Sequence, residues 1–262
     1  MSPRLGLSAL LASAALLATM GLASSAEAQQ ADQYYRWKRH DRPMYASPQS
    51  FAVELRFGPY IPNIDEEFSG GAKPYASTFG GGKGFHFGLE VDYQALRIPY
   101  LGTLGPGISW SRTTRDAKAN ITGTTTASAE STTLAIMPMA LMGVLRIDVL
   151  SRELGIPIVP YGKAGLGFGL WSTGTDQGTS TRDGIEGKGR TWGTHLAGGG
   201  MFLLDFLDRS SAREIDDSIG VNHSYIFLEY MRANLDGSIL ETSKPQLHIG
   251  TTTWVVGLAL EM

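Results

Sequence analysis

Apolar and polar residues alternate with a period of two along most of the chain after residue 50. The period is clearest in four segments, where bulky apolar residues occupy every second position and glycine or polar residues lie between them. These segments are 51–58, 85–94, 163–170 and 253–262. Because successive side chains of a strand point to opposite faces, this period predicts β-strands with one apolar face.

Four further segments show a weaker form of the same pattern. They are 104–113, 131–146, 191–204 and 223–233. In 131–146 and 223–233 the alternation does not define which face is apolar. The sequence therefore predicts eight strands, an even number.

The predicted connections are of two kinds, and the two kinds alternate along the chain. Four are long, polar and rich in Gly, Ser and Thr: 61–82, 116–130, 172–190 and 234–245. Three others lie near 95–103, 147–157 and 205–220, and residues 206–219 suit a short periplasmic helix. Long loops at one end and shorter turns at the other are typical of an outer-membrane barrel. The predicted fold is an all-β, eight-stranded antiparallel transmembrane β-barrel.

The alternation predicts a barrel with large apolar groups outside and glycine or charge inside. This is the reverse of a soluble barrel of this size, although a soluble periplasmic β-sandwich remains the rival fold. An eight-stranded barrel has room only for side chains, so inward charges must pair. We expect either an ion-pair plug or a narrow cation-preferring passage. The predicted lumen residues are Glu54, Arg56, His86, Glu90, Asp92, Lys163, His195 and Glu229.

Three tryptophans lie at the ends of predicted strands. Trp110 ends the third, Trp171 ends the fifth and Trp192 begins the sixth. If the N-terminus is periplasmic, all three fall at the outer rim, where an indole with an apolar ring and a polar N–H is favoured. Core tryptophans of a soluble protein are the alternative.

The N-terminal region predicts export. Met1 to Ala28 has a positive start at Arg4, an uncharged Leu/Ala/Ser-rich stretch and the small-x-small site 26–28, as in a cleaved signal peptide. An N-terminal membrane anchor is the alternative. Residues 29–50 form a basic, aromatic periplasmic tether, either a disordered linker or an anchor to lipid or peptidoglycan. The barrel is assigned to 51–262.

Composition excludes several functions. The chain has no cysteine, which excludes a disulfide scaffold and a cysteine-ligated metal site. Its 22 basic and 25 acidic residues provide no electrostatic signature for nucleic acid. The histidines show no zinc-ligand spacing, and the glycine-rich 80–84 and 162–169 match no phosphate-binding motif. We predict no cofactor or metal and no catalytic residue.

The chain resembles small bacterial outer-membrane β-barrels in its signal peptide, its eight amphipathic strands and its last strand. Residues 204–237 resemble an uncharacterised outer-membrane barrel family of myxobacteria. The resemblance implies the outer membrane, lipid and lipopolysaccharide as surroundings, and the barrel-assembly machinery as a partner. The last strand resembles the assembly signal that this machinery recognises, although Met262 replaces the usual terminal Phe or Trp. The signal residues are Trp254, Val256, Leu258, Leu260 and Met262.

The sequence thus predicts a non-enzymatic outer-membrane barrel with a structural or surface-interaction role and a largely plugged lumen. A narrow cation-preferring pore is the first alternative. A lipid-A-modifying enzyme is the second, since some small outer-membrane barrels use Ser and His at the outer rim. Here that site would combine His195 with Ser172 or Ser180.

Overall fold

The computed structural model describes residues 50–120, 127–175, 178–182, 185–206, 220–239 and 247–262. The predicted signal peptide, all but the last residue of the tether and nearly all of the predicted helix 206–219 lie outside this part of the chain.

Eight long antiparallel strands form a closed barrel. Each strand pairs with the next along the chain, and the last pairs with the first. The predicted eight-stranded antiparallel barrel is therefore confirmed. The strands are β1 Phe51–Tyr60, β2 Gly84–Tyr93, β3 Gly102–Asn120, β4 Ala127–Arg146, β5 Ile158–Thr175, β6 Lys188–Leu203, β7 His223–Asn234 and β8 Thr251–Glu261.

The two ends of the barrel differ. We call the end where β1 begins and β8 finishes the terminal end, and the opposite end the hairpin end. Short elements occupy both ends. They are the 3-10 turns Asn63–Glu66 and Leu204–Phe206, the helices α1 (Pro74–Phe79) and α2 (Val149–Glu153), and the two- or three-residue strands Leu96–Ile98, Gly178–Thr179, Thr181–Arg182 and Ile185–Glu186. No helix in the described ranges is long and apolar enough to cross a membrane.

The strands β3 to β6 extend further toward the hairpin end than the sequence predicts. Most of the predicted loop 116–130 continues β3 and β4, and the ends of 172–190 belong to β5 and β6. Polar residues and alanines there pair across strands, and Thr133 Oγ1 donates to Asp116 Oδ1 at 2.6 Å. A strand that is polar on both faces has no apolar alternation, so its composition resembles that of a loop.

The facing of the two ambiguous strands is resolved by burial. In β4 the even-numbered residues face the lumen, and Leu141 on the opposite face is 60% exposed. In β7 the odd-numbered residues face the lumen, and Leu228 on the opposite face is 50% exposed. The bulky apolar residues of the remaining strands lie mainly on the outer face.

Candidate functional site: the barrel lumen

The lumen holds the charged side chains that the alternation assigns to it. All eight predicted lumen residues are buried. Six of them belong to a single ion-pair network, in which Asp92 is joined to the other five through Arg146: Glu54, Arg56, Glu90, Asp92, Lys163 and Glu229.

Arg56 is at the centre of this network. Its Nη1 donates to Glu54 Oε2 at 2.9 Å and to Glu90 Oε2 at 2.7 Å. Its Nη2 pairs with Glu229 Oε1. A planar guanidinium can satisfy several carboxylates at once, so one cation from β1 joins carboxylates on β1, β2 and β7.

Lys163 on β5 contacts the same three carboxylates. Its Nζ lies 2.7 Å from Glu54 Oε2, 2.5 Å from Glu90 Oε1 and 3.1 Å from Glu229 Oε2. Each of these three carboxylates is thus shared by at least two cations, and such pairing is what makes buried charges tolerable.

Arg146 is a seventh member that sequence reasoning missed. Its Nη2 contacts Glu54 Oε1 at 2.9 Å and Asp92 Oδ2 at 2.5 Å. It ends β4, the strand whose face the sequence left undefined. Arg146 lies two residues after Val144 and so faces the same side of β4. The sequence would have predicted a lumen position for Arg146 if it had defined which face of β4 is inward.

His86 and His195 are buried but stand apart from the network. The ring of His86 stacks on Tyr60, with centroids 5.7 Å apart and an angle of 15° between the rings. His86 Nδ1 and His195 Nε2 make no hydrogen bond to any protein group in the described part of the chain. The structure therefore brings six of the eight predicted residues together and leaves these two beside them.

An apolar cluster closes the lumen at the hairpin end. We call it the cap. Its buried members come from four strands, from the 3-10 turn, from α1 and from the chain between β7 and β8: Tyr60, Ile64, Tyr75, Leu134, Ile136, Trp171, Ala233, Leu235 and Ile249. Glycines make room for it, because a Cβ at Gly167 or Gly169 would run into Leu235 or Ile249.

Polar contacts hold the first long connection over this mouth. The Asp65 carboxylate accepts from the backbone N–H of Tyr75 at 2.7 Å and of Ala76 at 3.0 Å. The Tyr75 hydroxyl donates to Gly82 O at 2.8 Å, and burial raises the pKa of this hydroxyl. Glu67 Oε2 accepts from His248 N at 3.1 Å, which joins the first long connection to the last.

The three predicted rim tryptophans do not share one position. Trp110 is 37% exposed on the outer face, and Trp192 packs against Phe168 with ring centroids 4.6 Å apart. Trp171 is only 7% exposed and belongs to the cap, so its assignment to the rim was wrong. With Leu166 and Leu170 outside, the alternation of β5 turns residue 171 inward.

All five residues of the proposed assembly signal point outward from β8 or its end. Their exposed fractions fall between 37% and 55%. Trp254 also contacts Tyr230 of β7, with ring centroids 5.1 Å apart. These positions give the last strand a continuous apolar outer face.

Three carboxylates of the network lie close enough to suggest a metal site. In the described ranges, Glu54, Glu90 and Asp92 are the one group of three or more such side chains whose ligand atoms lie within 4.8 Å. Each of them already contacts a guanidinium or an ammonium group. The arrangement is an ion-pair network, and we assign no metal to it.

Comparisons with known proteins give structural neighbours but no family. No family model matches the chain, and no curated protein matches it. The resemblance of 204–237 to a myxobacterial family therefore stays a prediction.

Several solved bacterial outer-membrane barrels are similar in structure. The attachment invasion locus protein Ail of Yersinia pestis, in complex with the heparin analogue sucrose octasulfate, is 13% identical, with a TM-score of 0.42 over 82% of this chain and 97% of that chain. Neisserial surface protein A is 12% identical, with a TM-score of 0.42 over 81% and 97%. The N-terminal barrel domain of Pseudomonas aeruginosa OprF is 10% identical, with a TM-score of 0.35 over 82% and 100%. The architecture of this chain is established by its own strand pairing and not by these similarities.

Proposed function

We propose that this chain is a non-enzymatic, integral outer-membrane β-barrel that displays its hairpin end at the cell surface and whose lumen is closed. The observation that carries the proposal is the distribution of side chains across the wall. Apolar residues cover the outer face, and the buried charges lie in the lumen. Water would disfavour this arrangement and a lipid bilayer favours it.

Aromatic residues on the outer face occur toward both ends of the barrel. Phe51 packs against Tyr93 near the terminal end, with ring centroids 5.2 Å apart. Tyr230 packs against Trp254 toward the hairpin end. Two aromatic girdles bordering an apolar band are typical of a barrel that spans a membrane. The partners of this face would be outer-membrane lipid and lipopolysaccharide.

Two barriers in series support a closed lumen. The cap fills the mouth at the hairpin end with apolar side chains, and the network below it fills the cross-section with paired charges. A cation-preferring pore would need both to open. Among the described residues, no histidine side chain is hydrogen-bonded to a serine hydroxyl, so no observation favours lipid-A chemistry.

The location is tested by gel mobility of the protein from isolated outer membranes. We expect a fast-migrating band before boiling that shifts after boiling, because a closed barrel keeps its structure in detergent. A protein that is released by osmotic shock and shows no shift would be a soluble β protein, which contradicts the proposal.

The orientation is tested by protease shaving of intact cells. We expect cleavage only within 61–82, 116–130, 172–190 or 234–245, with protection of 206–219 until the outer membrane is permeabilised. Cleavage of 206–219 in intact cells would mean that the barrel is inverted.

The closed lumen is tested in planar bilayers. We expect no steady conductance from the parent protein, whereas a cation-selective current that changes in Glu90→Gln or Asp92→Asn would establish the pore. The mass of lipid A in a deletion strain distinguishes the enzyme, since only a lipid-A-modifying activity would shift it.

A further inference from the structure

A small cavity separates the ion-pair network from the cap. Its walls include Arg56 from the network, Tyr60 from the cap, and His86, Ser111 and His195. The cavity has a volume of ≈ 20 Å³, which is room for a single ion or water molecule. Polar groups from β2, β3 and β6 therefore meet in one small cavity of the barrel.

Two imidazoles face this cavity from opposite sides of the lumen. His86 lies on β2 and His195 on β6, which are four strands apart in a ring of eight. His86 is 2% exposed and His195 is 6% exposed. Because an eight-stranded barrel is only as wide as its packed side chains, side chains from opposite strands approach each other at the axis.

Each of these imidazoles has a buried ring nitrogen without a protein partner. They are His86 Nδ1 and His195 Nε2, and the absence of a partner holds for the described residues. A buried nitrogen left unsatisfied is costly, so such groups generally have a ligand or a water molecule. The stacking of His86 on Tyr60 fixes the plane of the imidazole ring.

The charge of the neighbouring network favours a cation over a water molecule as the group that the imidazole nitrogens bind. Four carboxylates (Glu54, Glu90, Asp92 and Glu229) face three cationic side chains (Arg56, Arg146 and Lys163). When all seven are ionised, the network has one uncompensated negative charge in a buried site. The network therefore has no net positive charge that would repel a cation, and its excess carboxylate would offset one of the two charges of a divalent ion.

We propose that His86 and His195 bind one late first-row divalent cation, of the class of Zn²⁺, Cu²⁺ and Ni²⁺, across the lumen. Neutral imidazole nitrogens prefer these ions. The oxygen ligands that Mg²⁺ and Ca²⁺ need are occupied by Arg56, Lys163 and Arg146. Water and the hydroxyl of Ser111 are available to complete the coordination. The site requires only the barrel fold and is independent of the proposed membrane role.

The test is a count of nitrogen ligands on Cu²⁺ by electron paramagnetic resonance. The full chain is folded in detergent in a His40→Gln background, which removes the histidine that precedes the barrel, and one equivalent of Cu²⁺ is added. We expect hyperfine coupling to two imidazole nitrogens. His86→Gln and His195→Gln should each remove one of them and weaken Cu²⁺ binding by about tenfold or more.

His223→Gln and His248→Gln are the matched controls. His223 Nδ1 lies 2.6 Å from Asp205 Oδ2 near the terminal end, and His248 lies at the hairpin end. Both variants should keep the two-nitrogen signal. Binding that survives in His86→Gln and His195→Gln, or that is lost in either control, would overturn the assignment.

A second measurement uses the parent chain alone and so does not depend on the folding of any variant. Zn²⁺ at micromolar concentration should raise the unfolding temperature, and Mg²⁺ at the same concentration should not. Equal effects of both ions, or of neither, would overturn the proposal.

Discussion

At the scale of single residues, the lumen depends on partners that are shared. Each of the three carboxylates that Lys163 contacts also contacts Arg56. Removing Lys163 therefore leaves each of these buried acids with only one or two cationic partners. The period of two was sufficient to predict the inward positions on β1, β2 and β5. It was insufficient for Arg146, because β4 is apolar on both faces over much of its length, with Leu134 and Ile136 in the cap and Leu141 outside.

We predict that Lys163→Met destabilises the barrel strongly. Breaking a buried ion pair by removing one partner costs about 3–5 kcal/mol, because a desolvated charge is left uncompensated. Urea unfolding in detergent, followed by loss of the fast-migrating gel band, measures this change. Adding Glu229→Gln to the variant should restore part of the loss, since it removes one of the carboxylates left in excess over the remaining cations.

Lys188→Met is the matched control for this prediction. Lys188 pairs with Glu186, and both side chains are more than half exposed. Solvent screens such a pair, so its loss should leave the urea midpoint nearly unchanged. Equal effects of the two substitutions would contradict a special role for the buried network.

At the scale of elements, the alternation located the eight strands but not their full lengths. The residues of 116–120 that pair with β4 are polar or alanine, as are their partners, so this part of the ladder leaves no alternation in hydropathy. The cap was also beyond prediction, because it joins Ile64 and Tyr75 of the first long connection to Leu235 and Ile249 near the last. Nothing in the spacing of these residues indicates that the two connections meet over one mouth.

We predict that close approach between strands makes one glycine of β8 irreplaceable. A Cβ at Gly257 would overlap the carbonyl oxygen of Leu55 on β1 and the ring of Phe227 on β7. Gly257→Ala should therefore cost about 2 kcal/mol or prevent closure of the barrel, as measured by urea unfolding or by the yield of the fast-migrating band. Gly200→Ala on β6, where a Cβ meets nothing within 4 Å, should fold like the parent.

We predict that the Asp65 carboxylate holds the first long connection closed. In Asp65→Ala the backbone N–H groups of Tyr75 and Ala76 lose their acceptor, at a cost of about 1 kcal/mol. Chymotrypsin should then cleave after Tyr75 or Phe79 about fivefold faster, while the urea midpoint of the barrel stays near that of the parent. Glu66→Ala, which removes an exposed carboxylate from the same turn, should leave the cleavage rate unchanged.

At the scale of the whole molecule, the barrel wall reverses the arrangement of a soluble protein, with apolar side chains on the outer face and charged side chains inside. The closed antiparallel barrel and the apolar outer face could be predicted from alternation alone. The position of Trp171 could not be read from its place at a strand end, because the phase of β5, not the end of the strand, decides which side a residue faces. Which side chains meet inside depends on the closure of the ring.

We predict that a charge on the outer face is costly only where lipid surrounds it. Leu141 is 60% exposed on β4, and Leu141→Arg should reduce stability in phospholipid vesicles by about 3 kcal/mol. Thr114→Arg, an exposed position of β3 nearer the hairpin end, should have little effect. Urea titrations of both variants in vesicles measure the difference, and equal stabilities would contradict a bilayer at this face.

The ion pairs between distant strands also determine the order of events in folding. Arg56 lies near the start of the barrel sequence, and its partner Glu229 lies on the seventh strand. Until that strand arrives, the first cations and acids are incompletely matched and must stay hydrated. Loss of water from the lumen and the joining of β1 to β8 are therefore expected to coincide in one late, slow step, as is usual for contacts between remote parts of a chain. A half-built sheet would instead leave its charged lumen face exposed.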